Sequence, residues 1–376
     1  MKKLLFITTW DFSDGPSVGI TKKIRAQIKA FENNGFDTAY TYISNNIFYV
    51  CENNQPMVLG KVGKLRKLVA NYYLYQYINN KKYPFVYSRY GLADLFYFKA
   101  LKQLHKNGSV NIIEIPTYPY DAERPKGVLW WGLYMLDKVY RRRLKASTDY
   151  IATYSEHTSI FNIPAIQIIN GIDFDTITVR HPKNDTGEIR LIAVAALAKW
   201  HGYDRLIQGL MNYYTNLDSK QEKRKIVFHI VGDGPVRGEY EQMVKDYNIQ
   251  EYVIFHGMLY GSDLDEVYDL CDIGVENLGF HRCGVYRSST LKSREYAAKG
   301  LPFVTSCTVD IFDGMEFVLK VSSTNEWINC DDIVKFYDMM YNKTDKNHVS
   351  QYIRETAKDR CSMNKVIAPV IEKFKV

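Results

Sequence analysis

No two cysteines of this chain form a Cys-x-x-Cys pair. The six stand singly at 51, 271, 283, 307, 330 and 361, which argues against a zinc site and fits a reducing cytoplasm. No apolar run approaches the ~20 residues of a membrane span. The opening run, residues 1–10, has too short an apolar stretch for a secretory signal and no small-residue cleavage site, so it reads as a buried first strand. A full Gly-x-Gly-x-x-Gly is missing after that strand, so no dinucleotide site is assigned. No recognised nucleic-acid motif accompanies the basic residues, and nucleic acid is not expected as a partner.

What is present describes a globular protein of two domains. The chain has 376 residues, 46% of them apolar, with 30 Tyr and a net charge of +7. The charge is uneven: residues 1–170 hold 23 Lys/Arg against 12 Asp/Glu, and the rest 26 against 30. A basic half joined to a mildly acidic one suggests that one half faces an anionic surface.

Strand-like runs alternate with helix-periodic ones. Residues 4–9 are a strand, followed by a loop with Gly15 and Gly19 and a helical face of Ile20, Ile24, Ile28 and Phe31. Simple turn glycines are one reading of both. Residues 84–88, 110–115 and 150–153 read as further strands. At the end of the strand 110–115 and just past it, the polar groups Glu114, Tyr118, Tyr120 and Asp121 occupy the place where α/β enzymes put chemistry, although two prolines also describe a rigid turn. Residues 60–77 and 127–145 are basic, aromatic and helix-periodic. Together they suggest helices lying on an anionic membrane, with ordinary surface helices as the alternative. In the second half, residues 190–195, 225–231, 253–257 and 272–276 read as strands, Gly232 and Gly234 mark a tight turn, and residues 353–374 read as helix.

The most informative stretch is Thr290-Leu-Lys-Ser-Arg-Glu-Tyr-Ala-Ala-Lys-Gly-Leu-Pro-Phe-Val304. Ser289 and Thr290 open a helix and Gly300 and Pro302 close it. The backbone N–H groups of a first helical turn can hold a phosphate. Lys292 adds a full charge there, and Glu295, one turn on, can accept from a ribose diol. A surface helix of mixed charge is the plain alternative.

This stretch resembles the donor-site motif of family 4 glycosyltransferases, in which a Glu, small and apolar residues, and Gly-x-Pro-φ-Val close the sugar-nucleotide site. The resemblance implies a GT-B fold: two doubly wound, Rossmann-like α/β domains facing across a cleft. Residues 1–172 would form the acceptor- and membrane-facing domain and 173–357 the donor domain, with a helix over 358–376 packing back on the first. Donor binding would fall to Lys199, His201, Gly232, Gly234, His281, Ser289, Thr290, Leu291, Lys292 and Glu295. The cleft loops would be Gly15, Gly19, Glu114 and Tyr120. Where the family carries a second Glu this chain has Arg287, so that residue's contacts would pass to His281, Arg282 or Arg287. The family's His after the strand at 110–115 is missing, which leaves Glu114, Tyr118, Tyr120 and Asp121 as the available groups. Tyr118, Arg282 and Arg287 are the catalytic candidates. The pair Asp173 and Asp175 is formally Asp-x-Asp but sits at the domain junction, and the resembled fold needs no metal or cofactor. The resemblance further implies a retaining transfer of a hexosyl-type sugar from a UDP- or GDP-linked donor. The acceptor would be a saccharide, lipid-linked, in surface polysaccharide assembly at the inner face of the plasma membrane. A nucleotide-sugar epimerase on the same fold and a non-catalytic nucleotide-binding partner are the competing expectations.

Overall fold

The computed structural model describes residues 2–13, 18–63, 65–121, 127–183, 187–215 and 224–375. They fold as two units. The first comprises Met1–Gly171 and Met363–Val376, the second Ile172–Ser362.

The first unit is built on strands β1 (Lys2–Ile7), β2 (Phe36–Ser44), β3 (Ile47–Glu52), β4 (Gln55–Lys61), β5 (Phe85–Arg89), β6 (Val110–Ile115), β7 (Tyr150–Thr153), β8 (Ser159–Ile160) and β9 (Ile163–Gln167). They form one sheet in the order β4-β3-β2-β1-β5-β6-β7-β9-β8, parallel from β2 to β9. Its helices are α1 (Val18–Asn33), α2 (Arg66–Tyr77), α3 (Leu95–Lys106) and α4 (Val128–Tyr140), joined by α11 (Met363–Lys373) from the end of the chain. Successive strand residues face opposite sides. Leu5 and Ile7 enter one core with α2 and α3 residues, and Leu4 and Phe6 enter the other with α1 and α11. Ile24, Ile28 and Phe31 are the buried face of α1, and Phe374 packs its ring against Phe31, Phe36 and Phe85.

Three elements depart from the sequence reading. Residues 60–77 are not one helix: residues 60–61 end β4, and α2 starts at Arg66. The antiparallel β2-β3-β4 meander turns on Asn45-Asn46 and Asn53-Asn54, all four with φ between 49° and 61°. Asn tolerates the left-handed region that a two-residue hairpin turn demands. At the other end, residues 353–374 break at Ser362, whose backbone is extended. Helix α10 (Lys346–Cys361) belongs to the second unit and α11 to the first.

The second unit uses β10 (Ile189–Val194), β11 (Ile226–Val231), β12 (Val253–Gly257), β13 (Ile273–Val275), β15 (Phe303–Thr305) and β17 (Val318–Lys320) in an all-parallel sheet ordered β12-β11-β10-β13-β15-β17. Strands β14 (Arg287–Ser288) and β16 (Thr308–Val309) pair separately. Its other helices are α5 (Tyr203–Thr215), α6 (Arg237–Asp246), α7 (Gly261–Leu270), α8 (Leu291–Lys299) and α9 (Cys330–Tyr341). The inner strands β11, β13 and β15 are buried on both faces, as parallel strands covered by crossover helices must be. The chain leaves β10 toward β11 on one side and later returns to β13 on the other. The carboxyl ends of β10 and β13 therefore open a crevice where ligands of doubly wound sheets bind.

Candidate functional site

Four pieces of chain meet at the crevice of the second unit: the segment after β10, the turn after β11, the segment after β13 and the start of α8. Backbone packing fixes the first three. Gly232, at φ 124°, lies where a Cβ would run into the Ala195 carbonyl, and a Cβ on Gly234 would strike Leu197. The Leu197 N–H donates to the Asp233 carbonyl at 2.8 Å. These two glycines are thus explained by the closeness of two loops, and the ligand-approach role read from the sequence is not needed to account for them. Gly202 and Gly279 lie backbone to backbone in the same way, and the Leu278 N–H donates to the His201 carbonyl at 2.8 Å.

The start of α8 is held by a carboxylate that sequence reasoning passed over. Glu276, just past β13, is 0% exposed. It accepts from the Asn277 N–H at 2.9 Å, the Asn277 side-chain amide at 2.8 Å, the Thr305 hydroxyl at 2.9 Å and the Thr290 hydroxyl at 2.5 Å. Thr290 is the N-cap of α8 and its oxygen also accepts from the Ser293 N–H. Ser289 accepts from Arg294, which is buried, bonded to Asp310 and donates to the Thr290 carbonyl. The signal in the sequence was an acidic residue closing an apolar strand, a place where an unpaired carboxylate would be costly.

Lys292 stands in the first turn with its ammonium 2.9 Å from Asn277 Oδ1 and 5.9 Å from the centre of the Tyr203 ring. Burial pushes it down to about 8, opposed by the nearby Glu276 and Glu295 carboxylates. His201 is buried and stacks on Tyr203, ring centres 5.5 Å apart. The Ala198 N–H donates to its Nδ1 at 3.1 Å, so the neutral ring carries its proton on Nε2 as a donor. Burial, then the Lys292 charge, lowers its pKa to about 3. A neutral donor and a cation thus flank a helix start whose first-turn N–H groups have no partner within the helix. Leu291 lies partly buried at the first helical position, and Glu295 is half-buried in the second turn, on the face of Lys292. Such a set binds an anion and a diol-bearing group beside it.

The loop of residues 277–287 behaves differently from its reading as a set of free cations. Arg282 forks onto Asp204 at 2.9 and 2.6 Å and also donates to the Lys199 carbonyl and Asn325 Oδ1, both at 2.9 Å. Its charge is paired and four of its five N–H donors are used within the protein, which argues against a catalytic role for it. His281 Nε2 lies 3.0 Å from the same Asn325 oxygen, and its Nδ1 is buried without a partner among the described residues. Arg287 is exposed on β14. Lys199 is 74% exposed and 3.6 Å from Glu239, a surface pair of small energetic weight.

In the first unit the candidates separate. Glu114 is 0% exposed and accepts from Gln27 at 2.8 Å, Arg89 at 2.7 Å, and Tyr87 and Tyr154 at 3.0 Å. Burial alone would raise its pKa; Arg89, then Lys23, outweigh that and hold it below the ordinary carboxylate value. It is a structural hub and offers no oxygen to an acceptor. Tyr120 donates to buried Asp137 at 2.8 Å and accepts from Arg141 at 3.2 Å, so it too is engaged internally. The Tyr118 ring packs edge-on against His157, 4.8 Å away between centres. His157 lies on the loop after β7, its Nδ1 3.0 Å from the Ser155 hydroxyl. Gly19 is exposed in α1, and Gly15 lies outside the described residues. Asp173 accepts from its neighbour Asp175 N–H at 3.1 Å, capping a short turn. Among the described residues no group of three or more His, Cys, Asp or Glu is placed to hold a metal ion.

The two basic stretches also change character. Arg66 pairs with Asp11 at 2.9 Å, Arg141 with Asp121 at 3.0 Å, and Lys67 lines cavities inside the unit. Lys64 lies outside the described residues. The exposed feature is apolar: Val128 (89% exposed), Leu129, Trp131 (64%), Met135, Leu136 and Val139 on α4. Among the described residues, no helix is long and apolar enough to cross a membrane.

Residues 188–332 match the family model described as Glycosyl transferases group 1. Comparison with curated proteins finds no match. Among solved structures, HepE from Anabaena in complex with UDP is 12% identical, covers 100% of both chains and has a TM-score of 0.59. Sucrose-phosphate synthase from Thermosynechococcus elongatus is 12% identical over 100% of this chain and 98% of that one, with a TM-score of 0.61. The catalytic domain of starch synthase IV from Arabidopsis thaliana, bound to ADP and acarbose, is 10% identical over 100% and 99%, with a TM-score of 0.64. Likeness at this level of identity gives the fold, which is GT-B, and the residues that match the family model lie within the second unit.

The Lys292 environment sets a pH dependence. A phosphate bound against its ammonium favours the charged form, so affinity for a nucleoside diphosphate falls as pH rises through about 8, approaching about tenfold per pH unit above it. In the ligand-free protein the sign reverses. The folded state loses this proton before the unfolded one, so the group's contribution to stability rises between about 8 and 10.5. Calorimetric titration from pH 7 to 9.5 checks the first statement, with Lys292→Arg expected to flatten the profile because guanidinium stays charged. A flat wild-type profile would remove Lys292 from the phosphate contact.

Proposed function

We propose that the protein is a glycosyltransferase that moves a sugar from a nucleotide-diphosphate sugar to a saccharide acceptor. The observation that carries this reading is the start of α8, where the first-turn amides, Lys292 and the neutral His201 donor surround one crevice within a group 1 glycosyltransferase domain. The diphosphate sits on Leu291 and Lys292, and Glu295 accepts from the ribose hydroxyls. Departure of a nucleoside diphosphate builds negative charge on the leaving oxygen, and preorganised donors at that point lower the barrier without moving. His281, with its unpartnered Nδ1, and exposed Arg287 lie on the loop that reaches for the donor sugar. HepE in complex with UDP, on the same fold, favours a uridine nucleotide over a guanosine one.

Retention of anomeric configuration and a hexosyl donor rest on the resemblance to family 4 enzymes. The nearest acidic side chain to the α8 start, Glu276, is occupied by four donors, which supports an electrostatic route over a covalent one. The diphosphate is neutralised by helix amides and cations, so no metal or cofactor is required in this reading.

The acceptor is a lipid-linked saccharide of surface polysaccharide assembly, and the protein works at the cytoplasmic face of the membrane. Support comes from α4. Its exposed residues at 128, 131, 135 and 139 recur at helical spacing, with 129 and 136 beside them. Exposed Arg142, Arg143 and Lys145 follow. A helix of this kind lies in the headgroup layer with its apolar face down, each nearby basic residue adding about 1 kcal/mol on an anionic surface.

Two outcomes test the proposal. UDP or a UDP-sugar should raise the melting temperature of the wild type, and Glu295→Ala should weaken that binding by about tenfold or more. No shift with any nucleoside diphosphate would sink the donor-site assignment. Independently, a Trp131→Ser, Leu136→Ser double variant should lose about 90% of its cosedimentation with phosphatidylglycerol vesicles at an unchanged melting temperature. Wild-type partitioning by that variant would refute the α4 membrane face.

A further inference from the structure

The first unit has its own switch point. The chain leaves β1 toward β2 and returns to β5 on the other side, so the carboxyl ends of β1 and β5 also open a crevice. Two cavities, of ≈430 and ≈380 Å³, lie there and share Lys67 and Trp130 in their walls. The Lys67 ammonium is 5.7 Å from the centre of the Trp130 ring. A Cβ placed on Gly91, just past β5, would be 3.8 Å from that ammonium and 3.3 Å from the hydroxyl of Thr9, just past β1.

Among the described residues, Lys67 is the charge in this crevice that the fold does not neutralise. No carboxylate lies within 4 Å of it among the described residues. The nearest acidic groups are committed elsewhere: Asp11 to Arg66 at 2.9 Å, and Asp137 to Tyr120, the Ala93 N–H and Arg141. Burial and the neighbouring Arg66 lower the pKa of Lys67, with Asp137 opposing. The Trp10 ring lines the smaller cavity, and its indole N–H has no partner among the described residues. A poorly solvated ammonium without a counter-ion, beside an idle N–H and an apolar wall, is complementary to an anion carrying a hydrocarbon group. The wall is made of α4 side chains, Leu129, Trp130 and Leu133, and Leu129 also belongs to the exposed apolar stripe of that helix. Apolar surface therefore runs from the crevice to the outside.

We propose that this crevice is the head-group site for a phosphate-bearing lipid, with the phosphate on Lys67 and the first carbons of the chain along Trp130 and Leu129. The inference deepens the lipid-linked acceptor reading and rests on it. It assigns the acceptor's phosphate to a residue of the first unit, separate from the α8 start that takes the donor.

The test titrates farnesyl phosphate, farnesol and inorganic phosphate into the full chain with UDP at saturation, so that the phosphate site at α8 is filled. Affinity is read from tryptophan fluorescence and calorimetry. Farnesyl phosphate should bind wild type at least about tenfold more tightly than either farnesol or inorganic phosphate. Lys67→Met and Lys67→Gln should each lose about tenfold or more for farnesyl phosphate, while Lys67→Arg should retain it within about threefold. Melting temperatures report folding of each variant. Equal affinity in the Met and Gln variants, or inorganic phosphate binding as tightly as farnesyl phosphate, would overturn the site. A wild type that binds farnesyl phosphate through Lys67 but fails to bind UDP would instead count against the donor reading and leave this one standing.

Discussion

A single buried carboxylate, Glu276, sets the geometry on which the candidate site depends. It closes β13, receives four hydrogen bonds and fixes Thr290, the residue that caps α8. Through Asn277 it also sets the acceptor for the Lys292 ammonium. Losing one of these donors would leave a buried carboxyl oxygen short of a partner, at a cost of about 1–3 kcal/mol. The helix start therefore cannot drift, and the first-turn amides, Lys292 and His201 are held in place before any ligand arrives. Donors that need no reorganisation are the ones that stabilise a departing diphosphate.

The two units solve the same problem with the same device. In the first, Glu114 and Asp137 gather tyrosines and arginines beneath the ends of β5 and β6. In the second, Glu276 gathers hydroxyl and amide donors at the start of α8, and Asp310 holds Arg294 there. These contacts, together with that of Asp204, consume charges that would otherwise look available, namely Arg89, Arg141, Arg282 and Arg294. Among the described residues, the poorly solvated cations at the two crevices are Lys292 in one unit and Lys67 in the other. Burial lowers the pKa of both, the expected response of an ammonium kept from water without a full counter-charge.

Much of the architecture was legible because parallel strands buried on both faces read as continuous apolar runs. Residues 110–115, 150–153 and 253–257 fall on β6, β7 and β12 as expected, and the Gly300–Pro302 punctuation ends α8 in a left-handed cap at φ 78°. The Asn-Asn hairpins were missed because the basic, helix-periodic character of the residues that follow masked a strand edge. In the site, the motif pointed to Thr290, Lys292 and Glu295, which share one helix and so keep their spacing in any fold. Glu276 and Asn277 belong to another element and enter only through the sheet order that brings β13 beside β10. Arg282 was misread for the opposite reason: Asp204 and Asn325, which bind it, are 78 and 43 residues away, and no local pattern announces such partners.

The central claim is that the start of α8 is the diphosphate site and Glu295 the ribose site. A crystal structure with UDP bound tests it most directly. The account predicts diphosphate oxygens within hydrogen-bond reach of the Leu291 and Lys292 amides and the Lys292 ammonium, and both ribose hydroxyls on Glu295. UDP bound elsewhere, or bound at α8 with its ribose turned away from Glu295, would contradict it.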